Sequence, residues 1–304
     1  MDNQLMSELE AIGGEIRTAG LKGGDQITIS QPSFTARIAL WGGHLASFQP
    51  SGEPDLLFQS ANLGGDTRFS RRHFGVPVCW PWFGAHPSDK DFPSHGLARY
   101  FRWQLAEVGH FKNGDIKVVL KLASDEHPLI EDMCPQTFEL RQIFRFGSGF
   151  QVNFSAANLS DKPLLVSEAL HTYFHVGDNE LTQVKGLDGV LYEDKFTGQG
   201  RQRQEGDIQP CQELDRVYLD APAVTLLEDQ QFNRRLIIST EGSASTVLWN
   251  PGQAIAASRS DMENDDYRHF VCVESANALD NSYVIEAGGM HHLKLEVKFE
   301  SLSY

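Results

Sequence analysis

Three histidine- or glutamate-bearing segments carry residue types suited to moving protons. They are Ser94-His95-Gly96-Leu97-Ala98-Arg99, Glu168-Ala169-Leu170-His171-Thr172-Tyr173-Phe174 and the late Val271-Cys272-Val273-Glu274. An imidazole and a carboxylate held on separate strands of a rigid scaffold meet the requirement for proton transfer to and from one small substrate. In a strand running on from Leu170, His171, Tyr173 and His175 share one face. That pattern suits a cleft-facing imidazole beside an aromatic ring, and equally a buried, hydrogen-bonded histidine; spacing alone weighs toward the second. Glu274 ends an apolar run in which it shares a face with Cys272 and Phe270, so it is either the exposed cap of a strand or a desolvated base with a raised pKa.

Metal chemistry is not expected. His171 and His175 are four apart, with His95 and His291-His292 also available, but Glu168 precedes His171 by three and the local composition favours strand over the helix of an HExxH site. Asp261-Met262-Glu263-Asn264-Asp265-Asp266 lacks the glycine and terminal glutamate of a calcium loop and reads as a solvated acidic turn. Trp80-Pro81-Trp82-Phe83 and Trp249-Asn250-Pro251 supply rings able to pack on the C–H faces of a sugar or simply to fill a core. Arg71, Arg72 and Arg99 form a candidate anion site, or else surface salt bridges. No glycine-rich phosphate loop is present.

The 304 residues carry 41 acidic against 26 basic side chains, a formal charge of -15 that repels nucleic acid and anionic membranes at long range. Any anion site must therefore be concentrated. Hydrophobic residues make up 40%, enough for a sizeable core. Cys79, Cys134, Cys211 and Cys272 lie far apart without a CxxC pair, which points to reduced thiols. With neither a signal-like N-terminus nor a run long enough to span a bilayer, a cytoplasmic location without membrane contact is expected.

Around these segments the chain alternates in short apolar stretches broken by Gly, Pro, Asn and Asp, as antiparallel strands do. Strands are predicted at Ile27-Ile29, Phe34-Ile38, Ile116-Leu122, Phe138-Phe144, Phe150-Ala156 and His292-Val297, and a helix only from about Gln4 to Ile12, ending at Gly13-Gly14. Without a linker or fixed-period repeat, the expectation is one all-β domain over residues 1–304, a sandwich or barrel with residues 1–20 as an N-terminal extension. The irregular Asp66–Phe101 stretch is where binding groups are expected to sit.

Taken together and in order, Gly75-Val76-Pro77-Val78-Cys79-Trp80-Pro81-Trp82-Phe83-Gly84, His95-Gly96-Leu97-Ala98-Arg99 with Trp103, Ala169-Leu170-His171-Thr172-Tyr173-Phe174, Glu213-Leu214-Asp215-Arg216-Val217-Tyr218, Trp249-Asn250-Pro251 and Cys272-Val273-Glu274 resemble the glucose-6-phosphate 1-epimerases. These are the hexose-6-phosphate mutarotases of the aldose 1-epimerase superfamily, and the similarity runs from about Trp41 to Val297. The resemblance implies a large antiparallel β-sandwich of the galactose mutarotase type with few short helices. It further implies a cofactor-independent exchange of the α and β anomers of a sugar phosphate. His171 and Glu274 would be the catalytic acid and base, His95 and Asp215 would hold sugar oxygens, and Arg99 would contact phosphate. Where the family usually shows Arg-Gly-Gly-Ile/Val-Pro this chain has His73-Phe74-Gly75-Val76-Pro77, so Arg72, Arg71 or His73 is left to complete the phosphate site, with Trp249 as a sugar wall. A monomer acting on a small sugar phosphate is expected, with a mutarotase of free aldoses and a noncatalytic sugar-binding protein as alternatives.

Overall fold

The computed structural model describes residues 3–19, 24–61 and 74–302. Arg71, Arg72 and His73 lie outside the described residues. Two eight-stranded antiparallel sheets form the body. One runs Thr182–Lys185, Val224–Asp229, Arg234–Glu241, Met290–Ser301, Phe150–Asn158, Phe138–Phe146, Ile116–Ala123 and Gln104–His110. The other runs Arg201–Arg203, Leu191–Asp194, Leu214–Leu219, Ser245–Asn250, Phe270–Asn277, Glu168–Leu170 and Val78–Cys79, with Tyr173–His175 also paired to Phe270–Asn277. A four-stranded sheet made by Gly14–Ala19, Gly24–Gln31, Phe34–Ala39 and His44–Pro50 and a two-stranded one complete the architecture.

Period-two patterning accounts for the first sheet. Phe138–Phe146 and Phe150–Asn158 alternate buried and more exposed positions almost without a break, one face turned to the core and the other toward solvent. Phe144, Val152, Phe154 and Leu293 from this sheet meet Tyr218, Leu248, Val271 and Val273 from the other in a single apolar cluster, which makes the pair a sandwich. All six predicted strands fall inside observed ones, and the helix at Asn3–Ala11 matches its predicted span to within a residue. Leu9 and Ile12 are buried in the main cluster. Two short helices, Pro128–Met133 and Gly252–Ser258, were not anticipated; in the first, His127 Nδ1 accepts from the Leu129 amide and proline occupies the first turn.

Two expectations are corrected. The Leu170–His175 stretch is not one continuous strand: it breaks at His171 and Thr172, where the His171 amide donates to Pro77 O at 2.9 Å and the Thr172 amide and hydroxyl both donate to Leu170 O. The acidic turn is not wholly solvated either. Asp266 is buried and accepts from the Ser60 hydroxyl and the Glu263 amide, closing the turn on itself.

The strand that matters most for the site is Phe270–Asn277, whose every residue is buried. Val271 and Val273 enter the main core, whereas Phe270 and Cys272 belong to a second cluster with Phe58, Tyr173 and Met262. A strand covered on both faces presents its alternate side chains to something other than bulk water. Here that is a cavity.

Candidate active site

A cavity of about 280 Å³ opens on this second face, lined by Phe83, His95, Arg99, His171, Tyr173, Lys195, Asp215, Trp249, Arg259 and Glu274 among others. Strand register explains the gathering. Asp215 pairs with Trp249, Trp249 with Cys272 and Cys272 with Tyr173, a row crossing four strands, while Val247 pairs with Glu274 one step along. The break after Leu170 brings His171 toward Glu274, and its Nε2 lies 3.4 Å from Glu274 Oε1. Both side chains are nearly sealed, 8% and 1% exposed.

His95 and Arg99 come from the loop on the other side. His95 has φ 65°, and its amide donates to Gly84 O at 2.7 Å. Gly96 follows at φ 77°, and a Cβ there would lie 2.1 Å from Trp80 O. Only glycine allows this approach, and with it Leu97 and Ala98 donate their amides to Trp80 O. The His95 ring reaches to 5.5 Å of the His171 ring, and Phe83 packs edge-on against it. Tyr173 stacks on His171 at 4.8 Å with a 9° tilt, and Trp249 stands edge-on to the same imidazole at 6.1 Å. The imidazole plane is thus set by two rings.

Electrostatics divide the cavity. Burial pushes the Glu274 carboxyl well above the usual carboxylate range; Asp215 adds to the rise, and the cations Lys195 and Arg99 oppose it. Burial likewise raises Asp215, countered by Lys195, whose Nζ lies 3.8 Å from Asp215 Oδ1 and 4.9 Å from the centre of the Phe83 ring. The Arg259 guanidinium sits over Trp249 at 5.9 Å. Three cations and two carboxylates therefore face one small volume in a protein of strong negative charge, a concentrated anion-attracting region. The arrangement offers a donor and an acceptor for protons 3.4 Å apart, an aromatic wall, and three cations in the lining.

The aldose 1-epimerase family matches residues 25–298. The chain belongs to that family. Its similarity extends to proteins named "Putative glucose-6-phosphate 1-epimerase" in Escherichia coli K12, 34% identical over 88% of each chain, and in Salmonella typhimurium LT2, 34% identical over 84% of this chain and 83% of the other. Among solved structures, a Salmonella typhimurium protein titled a putative mutarotase superposes with a TM-score of 0.82 at 30% identity over 91% of both chains. A galactose mutarotase-like protein from Clostridium acetobutylicum shares the fold, with a TM-score of 0.72 at 14% identity over 95% of this chain and 99% of the other.

For this family member the structure brings together His171, Glu274, His95, Arg99, Asp215 and Trp249. His175 is not among them: its ring lies beyond the cavity, with Nδ1 3.2 Å from Asp55 O and the ring edge-on to Phe232. Lys195 and Arg259 were missed. Lys195 follows the strand Leu191–Asp194 and Arg259 follows the helix Gly252–Ser258, and neither lies in a motif that the sequence offered. Cys272 was read only as a neighbour on the strand, yet its sulfur lies within 4.8 Å of ligating atoms of both His171 and Glu274.

Proposed function

We propose that this protein interconverts the α and β anomers of a hexose 6-phosphate, D-glucose 6-phosphate above all, by acid–base ring opening and closure. The observation that carries the reading is the buried His171–Glu274 pair, 3.4 Å apart, in a cavity that Arg99, Lys195 and Arg259 also line. The relatives' names point to the same substrate class.

In this mechanism His171 gives a proton to the ring oxygen while Glu274 takes the proton of the C1 hydroxyl, and the C1–O5 bond breaks to give the open aldehyde. Rotation about C1–C2 turns the other aldehyde face toward the ring oxygen. Closure with the two groups in exchanged roles yields the opposite anomer and restores both to their starting state. Burial serves Glu274 here, because a base with a raised pKa holds its proton more firmly after abstraction and works nearer to neutral pH. Asp215 and His95 hold sugar hydroxyls, and Trp249 packs on the ring. Arg99 meets the phosphate, with Arg71, Arg72 or His73 as the second contact. Residues 1–304 act as one catalytic domain, a cytoplasmic monomer without a cofactor.

Exchange spectroscopy by NMR at anomeric equilibrium tests this, comparing glucose 6-phosphate with free glucose and galactose. Enhanced exchange confined to the phosphorylated sugar is the expected result. Arg99→Gln then raises KM for it by about 10–100-fold, the worth of a charged hydrogen bond. Enhancement of free sugars alone moves the assignment to an aldose mutarotase, and no enhancement for any sugar overturns the catalytic reading.

A further inference from the structure

Cys272 has no part in the chemistry above, yet it projects from the same strand face as Glu274, two residues away. One ring nitrogen of His171, the Cys272 sulfur and one Glu274 oxygen all lie within 4.8 Å of one another, and all three residues are buried. The 3.4 Å between His171 Nε2 and Glu274 Oε1 already equals the spacing of two ligands on a tetrahedral ion with bonds of about 2.0–2.1 Å. Drawing the thiol in to a bond of about 2.3 Å takes a movement of about 1 Å. Nitrogen, thiolate and a single carboxylate suit zinc or cobalt, whereas magnesium and calcium require six or more oxygens. The cavity leaves room for solvent as a fourth ligand.

We propose that His171, Cys272 and Glu274 form a site for one Zn²⁺ ion, and that the bound ion is a reversible inhibitor because it occupies the lone pairs of both proton-transfer groups. This goes beyond the anomerase reading, and the metal site stands or falls independently of it. On binding, the hydrated ion gives up water ligands, and the coordinating His171 nitrogen, the Cys272 sulfur and the Glu274 carboxyl each release to solvent any proton they carry. Because these protons leave as the metal enters, zinc binding strengthens as pH rises. Arg99 and Lys195 work against a cation here and favour the anionic substrate, so metal and sugar phosphate compete for one cavity.

The test titrates the metal-free protein with Co²⁺ and then with Zn²⁺. One equivalent of cobalt is expected to produce a thiolate-to-cobalt charge-transfer band and the visible bands of a tetrahedral ion, and zinc to abolish both. Cys272→Ala should lose the charge-transfer band and bind zinc about a hundredfold more weakly, at the upper end of what outer-shell losses alone cost. Its metal-free anomeric exchange should stay within about twofold of wild type. Cys272→Ser preserves side-chain volume and gives the same comparison if alanine fails to fold. Cys211, half-buried and free, is replaced by alanine as the control and should leave the band intact. A cobalt complex without the thiolate band, or zinc affinity undiminished in both Cys272 variants, overturns the proposal. A protein that shows the band but no anomeric exchange keeps the metal site and discards the enzymatic reading.

Discussion

Glutamine at position 274 keeps the shape of the side chain and removes its acid–base function, so it separates two consequences of burying a carboxyl. The wild-type carboxyl is 1% exposed, and burial, reinforced by Asp215 and opposed by Lys195 and Arg99, lifts it well above the ordinary value of 4.5. Between that value and the raised one, the folded protein binds a proton the unfolded chain has released. Stability contributed by the protonated form is therefore full below about 4.5 and falls as pH climbs through the window, by about 1.4 kcal/mol for each pH unit within it. Glu274→Gln lacks that slope. A fixed cost for burying the amide displaces its curve equally at all pH values and leaves the difference in slope untouched. The variant should therefore gain steadily on wild type as pH rises from 4.5 to 8. Catalysis moves the other way. Loss of one positioned proton-transfer group costs about 10²–10⁴ in rate, which is about 2.7–5.4 kcal/mol of activation free energy. Urea unfolding at several pH values gives the first quantity, and NMR exchange of glucose 6-phosphate gives the second. Parallel stability–pH curves for the two proteins refute the buried, raised carboxyl, and exchange within about threefold of wild type refutes its role as base.

Lys195→Met removes the cation that lowers both carboxyls, so the acid limb of the kcat/KM profile should move to higher pH; an unmoved limb places the titrating base elsewhere. Gly96→Ala forces a Cβ against Trp80 O at a left-handed φ of 77°. It should cost about 3 kcal/mol or more and raise KM through displacement of His95, and an unaltered melting temperature contradicts the close approach. His175→Asn tests the boundary of the site. With its ring bonded to Asp55 O outside the cavity, the substitution should cost about 1 kcal/mol of stability and leave exchange within about twofold, whereas a drop like that of Glu274→Gln brings His175 into the chemistry.

What the sequence showed and what it concealed divide along a physical line. Alternation over Phe138–Phe144 and Phe150–Ala156 is a local property, forced on each strand by one wet face and one dry face, and those strands appear where it places them. The site depends on non-local pairing. Glu274 read alone was equally a strand cap or a buried base, because nothing nearby in sequence says that both faces of Phe270–Asn277 are covered. The strand break at His171 was invisible for the same reason: its amide donates to Pro77 O, nearly a hundred positions earlier, in place of a ladder partner. Lys195 and Arg259 carried no periodic signal, since each stands just past the end of an element and reaches the cavity only once the chain is folded.

The family resemblance supplied the pairing that local patterning lacked, by bringing His171 and Glu274 together before any register was known. It could not do the same for Cys272. Within the resemblance that residue is part of a motif, and within the strand it is one more small buried side chain. Only the register that sets Tyr173 opposite Cys272 and Val247 opposite Glu274 turns three separate letters into a nitrogen, a sulfur and an oxygen around one point. The same closeness that suits proton exchange on a sugar also suits coordination of a soft cation. A site that draws an imidazole and a carboxyl within 3.4 Å of each other is therefore exposed to metal binding unless its own cations oppose it. Arg99 and Lys195 lie where they can do both tasks, attracting the anionic substrate and repelling the ion that would block it. Replacing Lys195 with methionine should thus tighten zinc binding as well as move the acid limb, and a variant that shifts the pH profile without changing zinc affinity would show that the two effects arise from different charges.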